Sequence, residues 1–374
     1  MKNISLLLLG CGGVGRQLIQ HILSCRSLHA DQGIYLRVAG VCDSNSLLTS
    51  DTVDGQLDDS QLSEICRVKS NAQSLSSCEH LGKCSLHEGA ETRTKIIEIS
   101  TILGKSTGLV LVDCTASSET VEIVATAIHL GCCGVLANKK PLTSSMESYE
   151  KLVAYPRRLR YESTVGAGLP IITTVSRILN SGDHIYRLMG SLSGTLGYVM
   201  SEVDKGKPFS EVVVAAKKLG FTEPDPRDDL SGMDVARKAL IMGRLIGMKI
   251  SMEDIKVESM YREEMSPAVQ SVEDFMDKGL LSLNDSVSER VENAAKRGNV
   301  LRYVCLIEGP KCEVGLKEVS MKSALGALKG SDNVMEVFSR CYKDRPLVIQ
   351  GAGAGNDTTA AGVLSDIFDL QDFF

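Results

Sequence analysis

The sequence predicts an α/β fold: a parallel-sheet domain first, then an α+β domain. Three observations carry that prediction. Ile4 to Leu9 is an unbroken apolar run, the pattern of a parallel strand buried on both faces. It leads straight into Gly10-Cys11-Gly12-Gly13-Val14-Gly15 and then into a stretch with helical periodicity. Beyond Arg160 the alternation of strand and helix gives way to glycine-rich bends, amphipathic helices and β-like runs.

The glycine turn has the form G-x-G-x-x-G, a weak motif unless a strand precedes it and a helix follows, as here. Gly10 permits the tight turn, Gly12 lets the backbone approach a pyrophosphate, and Gly15 allows close helix–strand packing. Gly13 and Val14 complete the turn, and the helix start supplies N–H groups and positive dipole to an anion. The N-terminal part therefore reads as a Rossmann-type dinucleotide-binding domain. A second strand, Ile34 to Cys42, ends at Asp43, where an acid usually holds the ribose 2′-hydroxyl of NAD. Asp43 lies farther along than the usual spacing of about 20 residues, and no arginine follows it to hold a 2′-phosphate. That leans to NAD, although Lys139 and Lys140 supply charge that would suit NADP.

Ser44 to Gly89 is rich in Ser, Asp and Cys and reads as short helices in a mobile surface excursion. A strand at Leu109 to Cys114, a polar turn and a helix from about Glu119 to Leu130 follow. A short strand, Gly134 to Ala137, then ends in Asn138-Lys139-Lys140-Pro141. Polar groups at the carboxyl ends of strands are where open α/β sheets bind ligands, which makes Thr115, Ala116 and Lys139 candidates for the nicotinamide side. A long charged helical region is expected from roughly Met252 to Arg297, and β-like runs at Leu301 to Ile307 and Glu313 to Ser320. The domains expected are 1–160, binding dinucleotide; 161–340, for substrate, catalysis and dimerisation; and 341–374, returning to the first.

Composition excludes several classes. The 374 residues are 43% hydrophobic and 24% charged with a formal net charge of −6. They offer no electrostatic case for nucleic-acid or membrane partners. Tryptophan is absent and aromatics are 4%, so base-stacking platforms are not expected. The twelve cysteines form no C-x-x-C pair and no zinc-ligand spacing with the six histidines. They read as reduced thiols. The first strand starts almost at Met1 and no apolar run is long enough to span a bilayer, so a cytoplasmic protein is expected, or a plastid one if a leader is missing.

The chemistry concentrates in Phe221 to Gly247. Pro224 and Pro226 stiffen an arm that carries Glu223 toward a helix. Ser231 reads as the N-cap, with Asp234 three residues on in a capping pattern. Asp234 and Lys238 share a helix face at i,i+4. In a hydride-transfer enzyme the alkoxide formed needs a proton, and lysine is the tunable donor here. The acids would suit a substrate carrying an ammonium group.

The segments TEPDPRDDLSGMDVARK (Thr222 to Lys238), ANKKPLT, ESTVGAGLP, GSLSGTLGYVMSE and QGAGAGNDTTAAG together resemble homoserine dehydrogenases, in particular the monofunctional plant-like and fungal-like forms. The resemblance covers essentially the full length. It implies NAD(P)-dependent interconversion of L-aspartate 4-semialdehyde and L-homoserine, on the route to threonine, methionine and isoleucine. It further implies that Lys238 is the general acid/base, that Glu223 and Asp234 bind and orient substrate, and that Lys139 sits at the junction of cofactor and substrate. Gly355 would contact the cofactor. Glu162, Val165, Ala167 and Leu169 would form a site for a monovalent cation, Na+ or K+, mostly through backbone carbonyls. A homodimer is implied, with the runs after Leu301 as candidates for pairing across it. Because the chain stops soon after its last glycine turn, no C-terminal regulatory domain and no kinase portion are expected.

Two rivals stay open on residues alone. One is a dehydrogenase for another semialdehyde with a cysteine nucleophile, for which Cys11 and Cys114 are nearest. The other is a dinucleotide sensor without catalysis.

Overall fold

The computed structural model describes all residues except Glu79 and His80. The chain divides into two compact units, one of residues 1–168 and 355–374, the other of residues 169–354.

The first unit opens with β1 (Lys2–Leu9), whose last six residues are buried, and α1 (Gly13–Ser24). Gly15, Leu18, Ile19 and Ile22 of α1 are buried, the i, i+3, i+4, i+7 stripe of a helix laid on a sheet. A short helix, α2 (Arg26–Asp31), leads into β2 (Ile34–Cys42), and β2 pairs with β1 in parallel. The expected surface excursion is ordered structure. It contains β3 (Ser46–Ser50), α3 (Asp59–Ser70) and β4 (Cys84–Glu88), and leads into α4 (Ala90–Gly104). Its order comes from apolar residues hidden among the polar ones: Leu47, Leu48, Leu62 and Ile65 are fully buried. Burying each is worth about 1.5–3 kcal/mol. A complete capping box starts α3, with Asp58 accepting from the Gln61 N–H at 2.8 Å and Gln61 accepting from the Asp58 N–H at 2.8 Å.

Four further elements follow, β5 (Val110–Asp113), α5 (Thr120–His129), β6 (Cys133–Leu136) and α6 (Met146–Val153), before the two-residue β7 (Leu159–Arg160). The sheet order is β4-β3-β2-β1-β5-β6-β7. The strands β2, β1, β5, β6 and β7 are mutually parallel, whereas β3 and β4 join beyond β2 as antiparallel additions. The strand order reverses between β1 and β5, the place where open α/β sheets leave a crevice.

The second unit begins with α7 (Ile171–Asn180), β8 (Ile185–Ser191), α8 (Gly194–Val203) and α9 (Phe209–Lys218). It continues through α10 (Arg227–Leu230), α11 (Met233–Leu245) and β9 (Lys256–Val257). The charged helical region expected over 252–297 is helical only in its second half. There the single-turn α12 (Val272–Asp274) runs through the helical turns Phe275–Gly279 and Leu281–Leu283 into α13 (Asn284–Lys296). The first half holds short turns and β9, and Pro267 interrupts any helix there, whereas Phe275, Leu280 and Leu283 anchor the second half by burial. The unit closes with β10 (Asn299–Glu308), β11 (Lys311–Ser320), α14 (Ala324–Ala327), β12 (Asn333–Ser339) and β13 (Leu347–Gly351). Its sheet runs β13-β12-β8-β10-β11-β9. In the run at Leu301 to Ile307, residues 305–307 pair within the chain with β8 on one side and β11 on the other, whereas residues 301–304 pair with β11.

Residues 355–374 belong to the first unit. Helix α15 (Asn356–Phe368) places Ala360, Val363 and Ile367 in the same core as Ile4, Leu6 and Leu18. Its first turn meets α1: a Cβ on Gly13 would fall 2.5 Å from the Asn356 side chain, and His21 Nε2 lies 2.8 Å from Asp357. Residues 341–354 stay with the second unit because β13 pairs with β12.

Candidate active site

The first unit carries a cleft of about 1210 Å3 at the carboxyl ends of β1, β2 and β5. Gly10, Gly12, Asp43, Thr115 and Ala116 line it, while Gly13, Val14, Gly15, Lys139 and Gly355 do not. The glycines divide their work as the turn requires. Gly10 has φ +89°, a left-handed conformation suited to glycine. A Cβ on Gly15 would stand 2.0 Å from the Gly10 carbonyl oxygen, so α1 reaches its strand only because that atom is missing. Around Gly12 a Cβ would meet nothing within 4 Å, which leaves the backbone open to a ligand. Gly13 serves packing against α15. These features fit a dinucleotide's pyrophosphate at the start of α1.

Asp113, fully buried at the end of β5, organises the far side of the cleft. Its Oδ1 accepts from the Thr115 N–H at 2.9 Å and the Thr115 hydroxyl at 2.7 Å. Its Oδ2 accepts from the Thr120 hydroxyl at 2.6 Å and from Asn138 Nδ2 at 3.0 Å. Asn138 also donates to the Ser117 carbonyl at 2.8 Å and accepts from the Lys140 N–H at 3.0 Å. One buried carboxylate therefore ties the turn carrying Thr115 and Ala116 to the turn carrying Lys139.

Asp43 stands at the end of β2, but its carboxylate is occupied. Oδ1 accepts from the N–H groups of Asn45 and Ser46, each at 3.0 Å, and Oδ2 from Lys69 Nζ at 2.8 Å and the Leu75 N–H at 3.1 Å. Burial pushes this carboxyl up, yet the Lys69 bond and the three N–H groups outweigh it and hold it below the ordinary value of 3.8. A depressed acid contributes stability above its unfolded value, and that contribution is lost as pH falls through the folded one. Asp43→Asn should therefore be less stable than the native protein at pH 7, by on the order of 2 kcal/mol for charged hydrogen bonds. The gap should close as thermal unfolding is followed below about pH 4. A gap that stays constant down to pH 2.5 would contradict this role.

The bend at Glu162 to Gly168 is held from α15. Asp366 accepts from the Glu162 N–H at 2.9 Å, and the Ser163 hydroxyl donates to the Thr359 carbonyl at 2.9 Å. Gly166 and Ala167 have φ of +82° and +56°, a pair of left-handed residues that turns successive carbonyls. Glu162, Val165 and Ala167 are all buried within it, and Leu169 is the first residue of the second unit.

In the second unit α11 begins after Gly232, not Ser231. Gly232 has φ +74°, and a Cβ there would lie 1.8 Å from the Tyr303 hydroxyl. Ser231 instead closes α10; its hydroxyl donates to the Asp228 carbonyl and accepts from the Met233 N–H at 3.3 Å. The expected capping box is therefore replaced by a glycine corner, because α10 already occupies the residues just ahead. The i,i+4 pair is present: Lys238 Nζ lies 2.9 Å from Asp234 Oδ2. Lys238 is buried and also donates to the Leu192 carbonyl, at the end of β8, at 2.6 Å.

Glu223 is exposed, and the prolines do not carry it directly to α11. The arm folds back, with the Glu223 N–H donating to Asp229 Oδ2 at 2.8 Å. Buried Arg227 anchors the arm through Asp225 at 2.7 Å, the carbonyls of Met265 and Gln270, and the Phe275 ring. Asp229 is the residue that sequence reasoning missed. It accepts from the Thr195 hydroxyl at 3.0 Å, and burial, with Glu223 and Asp234 nearby, pushes its carboxyl up. The signal was present in the doubled acid of Arg227-Asp228-Asp229-Leu230, of which one must face the helix side that buries Leu230.

No group of three or more His, Cys, Asp or Glu residues among the described residues is placed to hold a metal. All twelve cysteines are free. Burial pushes the Cys11 thiol up to about 12 and raises Cys114 as well, the opposite of an activated nucleophile. No helix among the described residues is long and apolar enough to cross a membrane.

A parallel sheet with its ligand crevice, followed by a unit carrying a buried lysine among acids, defines the class of two-unit dinucleotide-binding dehydrogenases. Residues 10–161 match the family model "Homoserine dehydrogenase, NAD binding domain", and residues 170–368 match "Homoserine dehydrogenase". The chain belongs to the homoserine dehydrogenase family. It is 38% identical over 289 residues to homoserine dehydrogenase of Emericella nidulans, covering 73% of this chain and 78% of that one. It is also 35% identical over 373 residues to a chloroplastic bifunctional aspartokinase/homoserine dehydrogenase of Zea mays, covering 98% of this chain and 38% of that one. The chain thus spans about two fifths of the length of the bifunctional relatives it matches. A hyperthermophilic archaeal homoserine dehydrogenase solved with NADPH has the same fold, with a TM-score of 0.71 over 100% of this chain and 98% of that one at 20% identity.

Proposed function

We propose that this protein interconverts L-aspartate 4-semialdehyde and L-homoserine with a nicotinamide coenzyme, in the supply of threonine, methionine and isoleucine. The observation that carries the reading is Lys238, buried and fixed by two acceptors. An ammonium has three donors, so one remains for a substrate oxygen. The bound coenzyme would supply or accept a hydride at the carbon bearing that oxygen. Lys238 would give the oxygen its proton in reduction and, as the neutral amine, take it in oxidation, while Asp234 keeps the lysine aimed. Glu223 and Asp234 each repel the Asp229 carboxylate, and a substrate ammonium beside it would relieve that repulsion, which favours an amino-acid substrate.

Lys139, tied through Asn138 to Asp113, is assigned to the coenzyme–substrate junction, and Gly355 to coenzyme contact. The reading includes a homodimer and a monovalent cation, Na+ or K+, at Glu162, Val165, Ala167 and Leu169. The paired left-handed residues Gly166 and Ala167 support the cation. So do the Val165 and Ala167 carbonyls, which accept no hydrogen bond among the described residues.

The test is absorbance at the reduced-nicotinamide band with L-homoserine and NAD or NADP in turn. A rise is expected with at least one coenzyme. A flat trace with both, from folded protein, would remove the reading and favour a dinucleotide sensor.

A further inference from the structure

Coenzyme choice is decided where the adenosine ribose lies, at the carboxyl end of β2. An acid there normally selects NAD by accepting from the 2′-hydroxyl and repelling a 2′-phosphate. Asp43 has the position without the freedom. Its four acceptor sites hold three N–H groups and the Lys69 ammonium, and its side chain is only 7% exposed. Its negative charge is also matched by Lys69, so repulsion of a phosphate is muted.

The hairpin of β3 and β4 brings a second charged group to the same place. Ser46 pairs with Glu88 in the sheet, and the Gly89 N–H donates to the Asn45 carbonyl at 3.3 Å. Helix α4 thereby starts against the very turn that Asp43 holds. Arg93, one turn into α4, lines the cleft with Ser44, Asn45, Gly89 and Thr92. It is exposed and its guanidinium forms no ion pair or hydrogen bond with a described residue, whereas Lys69, the other cation of the lining, is committed to Asp43.

We propose that Arg93 reads the adenosine 2′-phosphate and makes NADP(H) the preferred coenzyme. A guanidinium offers paired donors that match a phosphate's oxygens. Glu88, Glu119 and Glu122 also line the cleft, so its acids outnumber its cations. Selection therefore rests on a directed contact and not on a general positive field. The proposal takes coenzyme binding in this cleft from the preceding section and adds which coenzyme and why.

The experiment is calorimetric titration of the full chain with 2′,5′-ADP and with 5′-AMP, at one fixed salt concentration. The native protein should bind 2′,5′-ADP roughly tenfold or more tightly than 5′-AMP, the scale of a charged hydrogen bond. Arg93→Ala should abolish that difference and leave 5′-AMP affinity unchanged, and Arg93→Lys should keep part of it. In turnover, the NADP-to-NAD ratio of kcat/KM should fall by the same factor in Arg93→Ala. Equal binding of both nucleotides by the native protein, or a preference that survives Arg93→Ala, overturns the proposal while leaving the cleft a coenzyme site. Failure of both nucleotides to bind folded protein would overturn the coenzyme reading with it.

Discussion

Replacing Lys238 with alanine should lower kcat about 100-fold or more, the contribution of a positioned general acid. The loss should fall on kcat and not on coenzyme affinity, because the glycine turn and the cleft beside it belong to the first unit and the lysine to the second. The fold should survive the change. Asp234, whose side chain is half exposed, can be hydrated once its partner is gone, and only the Leu192 carbonyl loses a buried donor. Stopped-flow turnover with L-homoserine, with coenzyme titration on the same preparation, separates the two effects. Turnover within a few-fold of the native enzyme would end the assignment of Lys238 as proton carrier. Retained turnover in the Asp234→Asn variant would be compatible with it, since in the proposed mechanism Asp234 would act on the reacting oxygen only through the lysine.

The second large effect should come from the glycine turn, where two neighbouring positions part company. Gly15→Ala must push a methyl group into the Gly10 carbonyl, 2.0 Å away, with backbone on both sides of the contact. Overpacking of that kind costs about 3 kcal/mol or more, and urea unfolding should register it before any ligand is added. Gly12→Ala meets nothing within 4 Å and should unfold at the native midpoint. Its methyl group would instead stand where the pyrophosphate approaches, and coenzyme binding should weaken by roughly a hundredfold, as loss of a close backbone approach implies. If Gly12→Ala binds coenzyme normally, the turn is a packing device and nothing more.

The contrast between those glycines marks what could be read from the chain. Local patterns were legible: β2 at Ile34–Cys42 has the bounds its apolar run implies, and the glycine turn sits between a strand and a helix. The Asp234–Lys238 pair was legible because a helix fixes the spacing of its own side chains. What depended on partners distant in sequence was not. Whether Asp43 is free depends on Lys69 and Leu75, and Arg93 reaches the cleft only because β3 and β4 pair. The role of Asp229 comes from burial beside Thr195, which no pattern near Asp229 encodes. The start of α11 was misplaced because a Ser-x-x-Asp pattern is as common as a cap, whereas the glycine corner against Tyr303 is a tertiary contact. Over 252–297 the expected helical region forms only from Val272 on, where Phe275, Leu280 and Leu283 supply a face to bury.

Helix α15 gives the chain a particular order of manufacture. The core of the first unit includes Ala360, Val363 and Ile367, and the start of α1 is closed by Asn356 and Asp357. A nascent chain that has left the ribosome only as far as Gly168 therefore carries every strand of the parallel sheet but lacks one of the helices that cover it. The second unit, continuous from 169 to 354, can mature while the first still waits for its last helix. Of the two units, the one made first is then the last to be finished, and its exposed apolar flank is the surface a chaperone would have to guard in the interval.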